Sequence, residues 1–275
     1  MKRVYNKLVR SITILAVVAS VFTSCEYQEV ADYGDLPEQV VYMPAAYYNP
    51  FMINVVPERR GASPTPGFPV RFTTDTPGNK FNVLLSVYRA GALNEGSFKV
   101  NISVKNDTIA TLITEGKLAA DTEILPVGRY TLVNNVEVKD GATLGIFDLA
   151  VDLNFLREGY PNKKYALGVK ISTDARKVNT ALATTIVVID TKIMKPTAGF
   201  TFAASGVNPL MVNFTNTSLM GMDYAWNFGD GSAGSTEKNT SHTFATKGTY
   251  TVTLTVNGVA GAVDQNVITK TVIIP

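Results

Sequence analysis

Three residue types with distinctive chemistry are almost missing from this chain of 275 residues, which contains one cysteine, one histidine and one tryptophan. A single thiol cannot form an internal disulfide, so an exported chain of this composition must be held together by its core. A single histidine leaves no second imidazole for zinc, and any Ser–His–acid triad would have to use His242. The composition therefore argues against histidine-based catalysis.

An excess of positive charge is also missing from most of the chain. The formal net charge is +2, but four of the 25 basic side chains lie in the first ten residues. The other 21 are outnumbered by 23 acidic side chains, and no Lys/Arg cluster with interleaved aromatics is present. Nucleic acid is therefore not expected as a partner.

The basic start leads into an apolar run, SITILAVVASVF, which has the length of a signal-peptide core and is too short to span a membrane. The segment Phe22-Thr23-Ser24-Cys25 that follows resembles a relaxed bacterial lipobox. We predict a lipoprotein signal peptide at 1–24 and a lipid anchor on Cys25, which would hold the protein at the outer membrane. The alternative is an ordinary signal peptide that happens to contain cysteine.

A polar and acidic segment separates Cys25 from the first domain, and we assign residues 25–39 as a tether. Its acidic residues Glu26, Glu29 and Asp32 resemble the surface-export signals of Bacteroidota lipoproteins. The resemblance implies a protein that faces the cell exterior.

Alternating apolar and polar residues dominate the body of the chain. Residues 81–88, 98–105, 147–155 and 165–171 each follow a period of two, as half-buried antiparallel strands do. Residues 106–117 break this rule because their apolar side chains have helical spacing. For this short helix we predict an N-cap at Asn106 or Asp107 and a C-cap at Gly116.

The many short strands predict an all-β protein made of two tandem immunoglobulin-like β-sandwich domains. The boundary is placed near Lys195-Pro196, where the strand-like TTIVVID ends and TAGFTF begins a new alternating unit. The first domain then covers 40–194 and the second 195–275. No internal repeat relates them, so they are expected to be different modules.

The second domain resembles a PKD domain, an immunoglobulin-like module. The resemblance rests on PTAGF, VNFTNTS, YAWNFGDG, HTF and GTYTVTL, at residues 196–200, 212–218, 224–231, 242–244 and 248–254. It implies that Trp226 and Phe228 are core residues and that His242 begins a strand and hydrogen-bonds across a turn. Asn227 departs from the pattern, because the family usually has Asp there.

The first domain resembles, over about residues 40–192, an N-terminal domain of unknown function found on Bacteroidota surface lipoproteins. The resembling segments are VYMP, LPVGRYTL, VEVKDG, DL and YALGVKI, at residues 41–44, 125–132, 136–141, 152–153 and 165–171. In some of these lipoproteins the domain precedes a glycoside hydrolase or a glycan-binding module. The resemblance implies an adhesin-like, non-catalytic domain.

Gly229-Asp230-Gly231 matches neither a Walker loop nor a dinucleotide fingerprint, and Asp-Gly between alternating strands predicts a hairpin turn. Some PKD-like domains bind calcium through nearby oxygen ligands. The resemblance therefore makes Asp223 and Asp230 candidate calcium ligands, although the sequence pattern of an EF-hand calcium loop, D-x-[DN]-x-[DN]-G, is absent. No other cofactor is expected.

Tyr47 and Tyr48, in the aromatic segment YMPAAYYNPF, are the candidate ligand-binding residues, because aromatic rings stack on the apolar faces of sugars. Alternatively, this segment packs the first strand onto the sandwich or wedges the tether against it. Tyr88 and Arg89, placed on the outer face of a strand, are weaker candidates.

Asp148 and Asp152 share one face of a predicted strand, but four residues of strand span about 13 Å. That distance exceeds the roughly 5–9.5 Å between the carboxylates of glycosidases. These acids are expected to be solvated, although carboxylates from different strands could still converge.

The sequence thus predicts a non-catalytic cell-surface lipoprotein that binds glycan or polysaccharide in carbohydrate capture, with the PKD domain as a spacer or protein-contact module. One alternative is a structural adhesin or a protein–protein interaction lipoprotein, and another is an accessory subunit of a glycoside hydrolase. No enzyme is predicted, because both domains are accounted for as sandwiches and a TIM-barrel glycosidase domain alone needs about 250 residues.

Overall fold

A computed structural model describes residues 38–56 and 71–275, all of which belong to one compact unit, Glu38–Pro275. The predicted signal peptide, the anchor residue Cys25 and most of the tether lie outside the described residues. Among the residues that are described, no helix is both long and apolar enough to cross a membrane.

Within residues 38–56 and 71–190, twelve strands build a first β-sandwich. They are β1 (Val40–Tyr42), β2 (Phe51–Ile53), β3 (Phe72–Asp75), β4 (Lys80–Ala90), β5 (Phe98–Val104), β6 (Thr122–Ile124), β7 (Tyr130–Leu132), β8 (Asn135–Val138), β9 (Leu144–Asp152), β10 (Lys164–Ser172), β11 (Lys177–Val178) and β12 (Thr184–Asp190). Single turns of 3₁₀ helix span Pro44–Tyr48, Thr180–Leu182 and Thr191–Met194.

The twelve strands form two sheets of six. One has the order β11-β1-β4-β9-β7, with β3 also paired to β4, and the other has the order β2-β12-β10-β5-β8, with β6 also paired to β10. Most pairs are antiparallel, as the alternating sequence predicts, but β1–β11, β6–β10 and β2–β12 are parallel. Alternate residues of β4 and β9 point between the sheets and are buried, namely Phe81, Val83, Leu85, Val87, Phe147, Leu149 and Val151.

Two short helices accompany this sandwich, α1 (Ile109–Thr114) and α2 (Leu153–Glu158). The helix predicted within 106–117 is confirmed as α1, and Gly116 follows it with a positive φ of 69°. The predicted side-chain N-cap is wrong, because the Asn106 Oδ1 accepts instead from the Gly168 N–H at 2.8 Å. Helix α1 covers the outer face of β10 and β12, where Ile109 packs with Ala166 and Ile186.

Helix α2 corrects the strand prediction for residues 147–155. The strand β9 ends at Asp152, whose Oδ1 accepts from the Phe155 N–H at 3.0 Å and so caps the helix. Leu153 and Leu156 are both buried, so the helix extends the apolar core beyond the end of β9.

Six strands build a second, smaller sandwich. They are β13 (Phe200–Ala204), β14 (Met211–Asn216), β15 (Asp223–Asn227), β16 (Thr240–Thr243), β17 (Gly248–Gly258) and β18 (Gly261–Ile274). They form two three-stranded sheets, β13-β14-β16 and β15-β17-β18. The protein is therefore all-β with two tandem sandwiches, as predicted. The exact boundary at Lys195-Pro196 stays a prediction, between the end of β12 and the start of β13.

The core of the second sandwich is aromatic. Trp226 is 3% exposed, and its ring lies against Phe200 and Phe214 at centroid distances of 5.1 and 5.6 Å. Its indole Nε1–H donates to the Glu237 carbonyl at 2.9 Å. Trp226 and the equally buried Phe228 are therefore core residues, as the sequence predicts.

Loops of the second sandwich and the start of its last strand pack onto the first sandwich. Met222, Val259 and Ala260 belong to the same buried apolar cluster as the core of the first sandwich. Asp264, with a side chain only 1% exposed, accepts from the Nε of Arg157 on α2 at 2.9 Å and lies 2.7 Å from its Nη2. The Thr74 hydroxyl of β3 also donates to the Val259 carbonyl at 2.9 Å. The two sandwiches thus share apolar and polar contacts.

Candidate functional site

The aromatic segment after β1 presents two tyrosines to solvent. The 3₁₀ turn Pro44–Tyr48 buries Ala45 and Ala46, whereas the side chains of Tyr47 and Tyr48 are 77% and 57% exposed. The two rings meet edge to face, with centroids 5.3 Å apart. Neither ring packs into the core, whereas Ala46 and Phe51 of the same segment do, so the alternative that this segment packs onto the sandwich holds for those residues and not for the two tyrosines. The other alternative, a wedge against the tether, concerns residues that lie mostly outside the described part of the chain.

The backbone on both sides of the tyrosines is held in place. Before them, the Met43 N–H donates to the Leu182 carbonyl at 2.9 Å. After them, the Asn49 Oδ1 accepts from the Ile186 N–H at 3.1 Å, and Phe51 is buried opposite Val187. The two exposed rings therefore project from a turn whose ends are fixed to β12 and its neighbourhood.

Arg71 completes this surface, and no pattern in the sequence predicts its position there. Its guanidinium carbon lies 4.9 Å from the ring centroid of Phe51 and 5.7 Å from that of Tyr48. Its Nη1–H donates to the Met52 carbonyl at 2.6 Å. This hydrogen bond joins β2, at the edge of one sheet, to the residue that precedes β3 in the other sheet. We call Tyr47, Tyr48 and Arg71 the tyrosine–arginine cluster.

A second exposed apolar surface lies on the outer face of the β1–β4–β9 sheet. Tyr42, Tyr88 and Leu144 are register neighbours on three adjacent strands, and the two tyrosine rings are 5.2 Å apart. Leu144 and Ile146 on β9 are 42% and 69% exposed. Tyr88 therefore lies on the outer face of the sheet, as predicted.

Arg89 was placed on the same outer face, and the structure shows that this is wrong. Its side chain points inward and the residue is 1% exposed. The guanidinium donates to four main-chain carbonyls, those of Glu95, Gly96, Lys139 and Ala142, at 2.5–3.0 Å. These bonds fasten two loops at one end of the first sandwich, which is a structural function.

Asp223 and Asp230, the candidate calcium ligands, are not brought together. Asp223 lies opposite Asn257 on β17, whereas Gly229, next to Asp230, approaches Thr251. Six residues of β17 separate these two points, which corresponds to about 20 Å of strand. The reason is that Asp223 begins β15, which is extended as far as Asn227, and Asp230 lies three residues beyond the end of this strand, so the two carboxylates cannot share one ion.

The carboxylate of Asp230 is instead used within the turn. Its Oδ2 lies 2.7 Å from the His242 Nε2, and its Oδ1 accepts from the Ser232 N–H and hydroxyl. Burial alone would raise the pKa of Asp230, but the hydrogen bonds from Ser232 and His242 outweigh it and lower the pKa from 3.8 to about 2. The His242 ring stacks on Phe228 at 4.0 Å, which supports the structural function predicted for it. The prediction that His242 begins a strand is wrong, because β16 begins two residues earlier, at Thr240.

Asp148 is exposed on β9, and Asp152, four residues further along the same strand, has structural partners. Asp152 accepts from Asn79 and pairs with Arg129 at 3.1 Å, in addition to capping α2. Burial alone would raise the pKa of Asp152, but the hydrogen bonds from Phe155, Asn79 and Arg129 and the charge of Arg129 outweigh it. The pKa of the carboxyl is therefore lower than its ordinary value. Within residues 38–56 and 71–275, no group of three or more His, Cys, Asp or Glu side chains is arranged to hold a metal ion.

Comparison with known families gives two matches. A family model for an N-terminal domain matches residues 38–177, just over half of the chain, and a PKD domain model matches residues 194–274. The first match ends before β12, which nevertheless pairs with β10 in the structure. No curated protein matches the sequence.

Solved structures resemble both parts of the chain. The PKD1 domain of Vibrio anguillarum Epp is 36% identical, over 29% of this chain and 93% of that one, with a TM-score of 0.26. The PKD1 domain of the Vibrio cholerae metalloprotease PrtV is 33% identical, over 29% and 96%, also at 0.26. A Bacteroides ovatus protein provisionally described as carbohydrate binding is 9% identical, over 70% and 64%, with a TM-score of 0.32.

Proposed function

We propose that this chain, which belongs to the family of that N-terminal domain and carries a PKD domain C-terminal to it, is a non-catalytic cell-surface protein that binds glycan. The observation that carries the proposal is the exposed pair Tyr47 and Tyr48 on a fixed turn. Aromatic side chains present a large apolar face with a polar tip, and such a face stacks on the CH face of a sugar ring.

The fixed turn favours binding because little conformational freedom is lost when a ligand docks. Ordering a mobile side chain or loop costs affinity, so a platform that is already ordered binds more tightly than a flexible one with the same contacts. The bonds from Met43 and Asn49 to neighbouring segments provide this order on both sides of the tyrosines. Contacts of this kind are individually weak, and they suit a ligand with many repeating units.

Lipid anchoring through Cys25 is part of the proposal, and it bears on affinity. Many copies held in one membrane would engage a polymer together, so weak sites would act multivalently. The PKD domain would serve as a spacer or a protein-contact module on such a surface. Its packing against the first sandwich, through Met222, Val259 and Asp264, supports a fixed spacer.

A second candidate function is contact with another surface protein, through the outer face of the β1–β4–β9 sheet. The observation that favours it is the adjacent set Tyr42, Tyr88, Leu144 and Ile146, which exposes apolar surface on three strands. Contiguous exposed apolar surface is typical of protein interfaces.

Affinity gel electrophoresis of the purified full chain with a broad polysaccharide panel tests glycan binding. We expect retarded migration with at least one polysaccharide, and loss of the retardation in Tyr47→Ala and Tyr48→Ala. The matched control is Tyr88→Ala, which removes a tyrosine from the other exposed surface and should migrate like the unaltered protein. Normal migration with every polysaccharide would refute the proposal, and loss only in the control would move the site to the outer sheet face.

A further inference from the structure

The tyrosine–arginine cluster carries a positive charge whose position is fixed. The Arg71 backbone carbonyl accepts from the Leu84 N–H at 3.0 Å, and the Arg71 Nη1–H donates to Met52. Its guanidinium lies within about 6 Å of two ring centroids, the range over which a cation is attracted to an aromatic face. The side chain is therefore held at both ends.

The charge of Arg71 is not neutralised within the described part of the chain. Among residues 38–56 and 71–275, no carboxylate forms an ion pair with it. Arg129 and Arg157, in contrast, each pair with an aspartate. A guanidinium has five N–H donors in a planar fork, and Arg71 uses Nη1 on a main-chain carbonyl. Within the described residues, its other N–H donors remain for a ligand that contacts Tyr47 or Tyr48.

We propose that the tyrosine–arginine cluster selects anionic saccharides, with a tyrosine ring under the sugar and Arg71 on its carboxylate or sulfate group. This inference rests on the proposed glycan-binding function and adds the ligand class. The planar fork of a guanidinium matches two oxygens of a carboxylate or a sulfate, and such charge-assisted bonds are stronger than neutral ones. A neutral sugar would gain the stacking contact and lose the charged one.

The carboxylate of a uronic acid and the sulfate of a sulfated sugar offer the same anionic oxygens, so each is tested against a neutral polymer with the same backbone. Polygalacturonate is paired with its fully methyl-esterified form, and dextran sulfate with dextran. Affinities are measured by isothermal titration calorimetry on the full chain at low and at physiological ionic strength.

The expected result is a preference of about tenfold for one charged polymer over its neutral partner, the factor for one charge-assisted hydrogen bond. Arg71→Gln should abolish this preference, whereas Arg71→Lys should keep part of it and its salt dependence. Lys247→Gln, which removes an exposed charge from the second sandwich, is the matched control and should change nothing. Circular dichroism checks that each variant is folded.

Two outcomes overturn the inference while glycan binding stands: equal affinity for charged and neutral polymers, or a preference that survives Arg71→Gln. Binding to none of the four polymers, together with no retardation across the wider panel, counts against both the inference and the proposed function. A preference for polygalacturonate alone identifies uronic acids as the ligand, and a preference for dextran sulfate alone identifies sulfated sugars.

Discussion

Trp226 combines apolar packing with one directed hydrogen bond. The ring contacts Phe200 and Phe214, and the indole N–H, which would otherwise be buried without a partner, donates to the Glu237 carbonyl. Gly229 continues the same stretch with a φ of 76°, and a Cβ there would lie 2.3 Å from the Thr251 carbonyl oxygen. The stretch YAWNFGDG is therefore explained by packing and turn geometry.

Replacing Trp226 tests this explanation. Trp226→Ala should destabilise the second sandwich by about 3–5 kcal/mol, because a large buried aromatic is removed and a cavity remains. Urea denaturation followed by far-UV circular dichroism measures the loss, since the only tryptophan can no longer serve as a fluorophore. A stable, folded variant that had lost only ligand binding would contradict the core assignment.

Asp230 makes stability depend on pH in the acid range. Its pKa in the folded protein, about 2, is below the ordinary value of 3.8, so its ionised form stabilises the fold. This contribution is complete above about pH 4 and is lost as the pH falls from 4 towards 2. We expect Asp230→Asn to be less stable than the unaltered protein at pH 6 and to lose less on acidification. Thermal unfolding between pH 2 and 6 measures this, and parallel curves would show that Asp230 is not responsible.

At the scale of elements, most strands could be predicted because one face of each is buried. Phe98, Val100 and Ile102 of β5 are buried and alternate with exposed residues, so the period of two is explicit. The end of β9 could not be predicted, because Leu153 and Phe155 continue the same alternation into α2. There the hydrogen bond from the Phe155 N–H to the Asp152 carboxylate decides in favour of a helix.

The candidate site could be predicted only in part, because its geometry depends on contacts between distant segments. A run of aromatic residues is visible in the sequence, but whether Tyr47 points outward depends on the 3₁₀ turn and on the fixation of Asn49 to β12. Arg71 joins the cluster through a contact between the edges of two sheets, 19 residues from its partner Met52. No periodicity within one segment encodes such a contact.

The ion pair between α2 and β18 should stabilise the junction of the two sandwiches. Arg157→Ala leaves the carboxylate of Asp264 buried without its cation, and such a loss costs about 3–5 kcal/mol. We expect a lower thermal midpoint and faster proteolysis of the junction. The double variant Arg157→Met with Asp264→Leu removes both charges and should recover much of the lost stability. Equal stability of the single variant and the unaltered protein would mean that water replaces the ion pair.

At the scale of the whole molecule, the two sandwiches form one compact unit with a shared apolar cluster. The all-β class and the order of the two modules were predictable, because strand periodicity and the PKD pattern are local. Their packing was not, since Met222 and Val259 lie in loops whose sequences carry no period.

The predicted anchor is tested on the intact protein from its native cell. Mass spectrometry should find an N-terminus at Cys25 that carries the mass of acyl chains, and Cys25→Ser should abolish it and release the protein from the membrane fraction. A protein with an unmodified Cys25, or one that begins elsewhere, would contradict the lipoprotein assignment.

The length of β4 has a mechanical consequence. Val40, near the start of the described chain, pairs with Ala90 at one end of this strand, while Thr74, which binds the second sandwich, pairs with Phe81 near the other. Nine residues of strand separate these points by about 30 Å. A pull applied between Gln39 and the second sandwich therefore runs along β4 and shears several β1–β4 hydrogen bonds at once. Resistance to flow or to a dragging polymer would then depend on the rate of forced unfolding rather than on equilibrium stability.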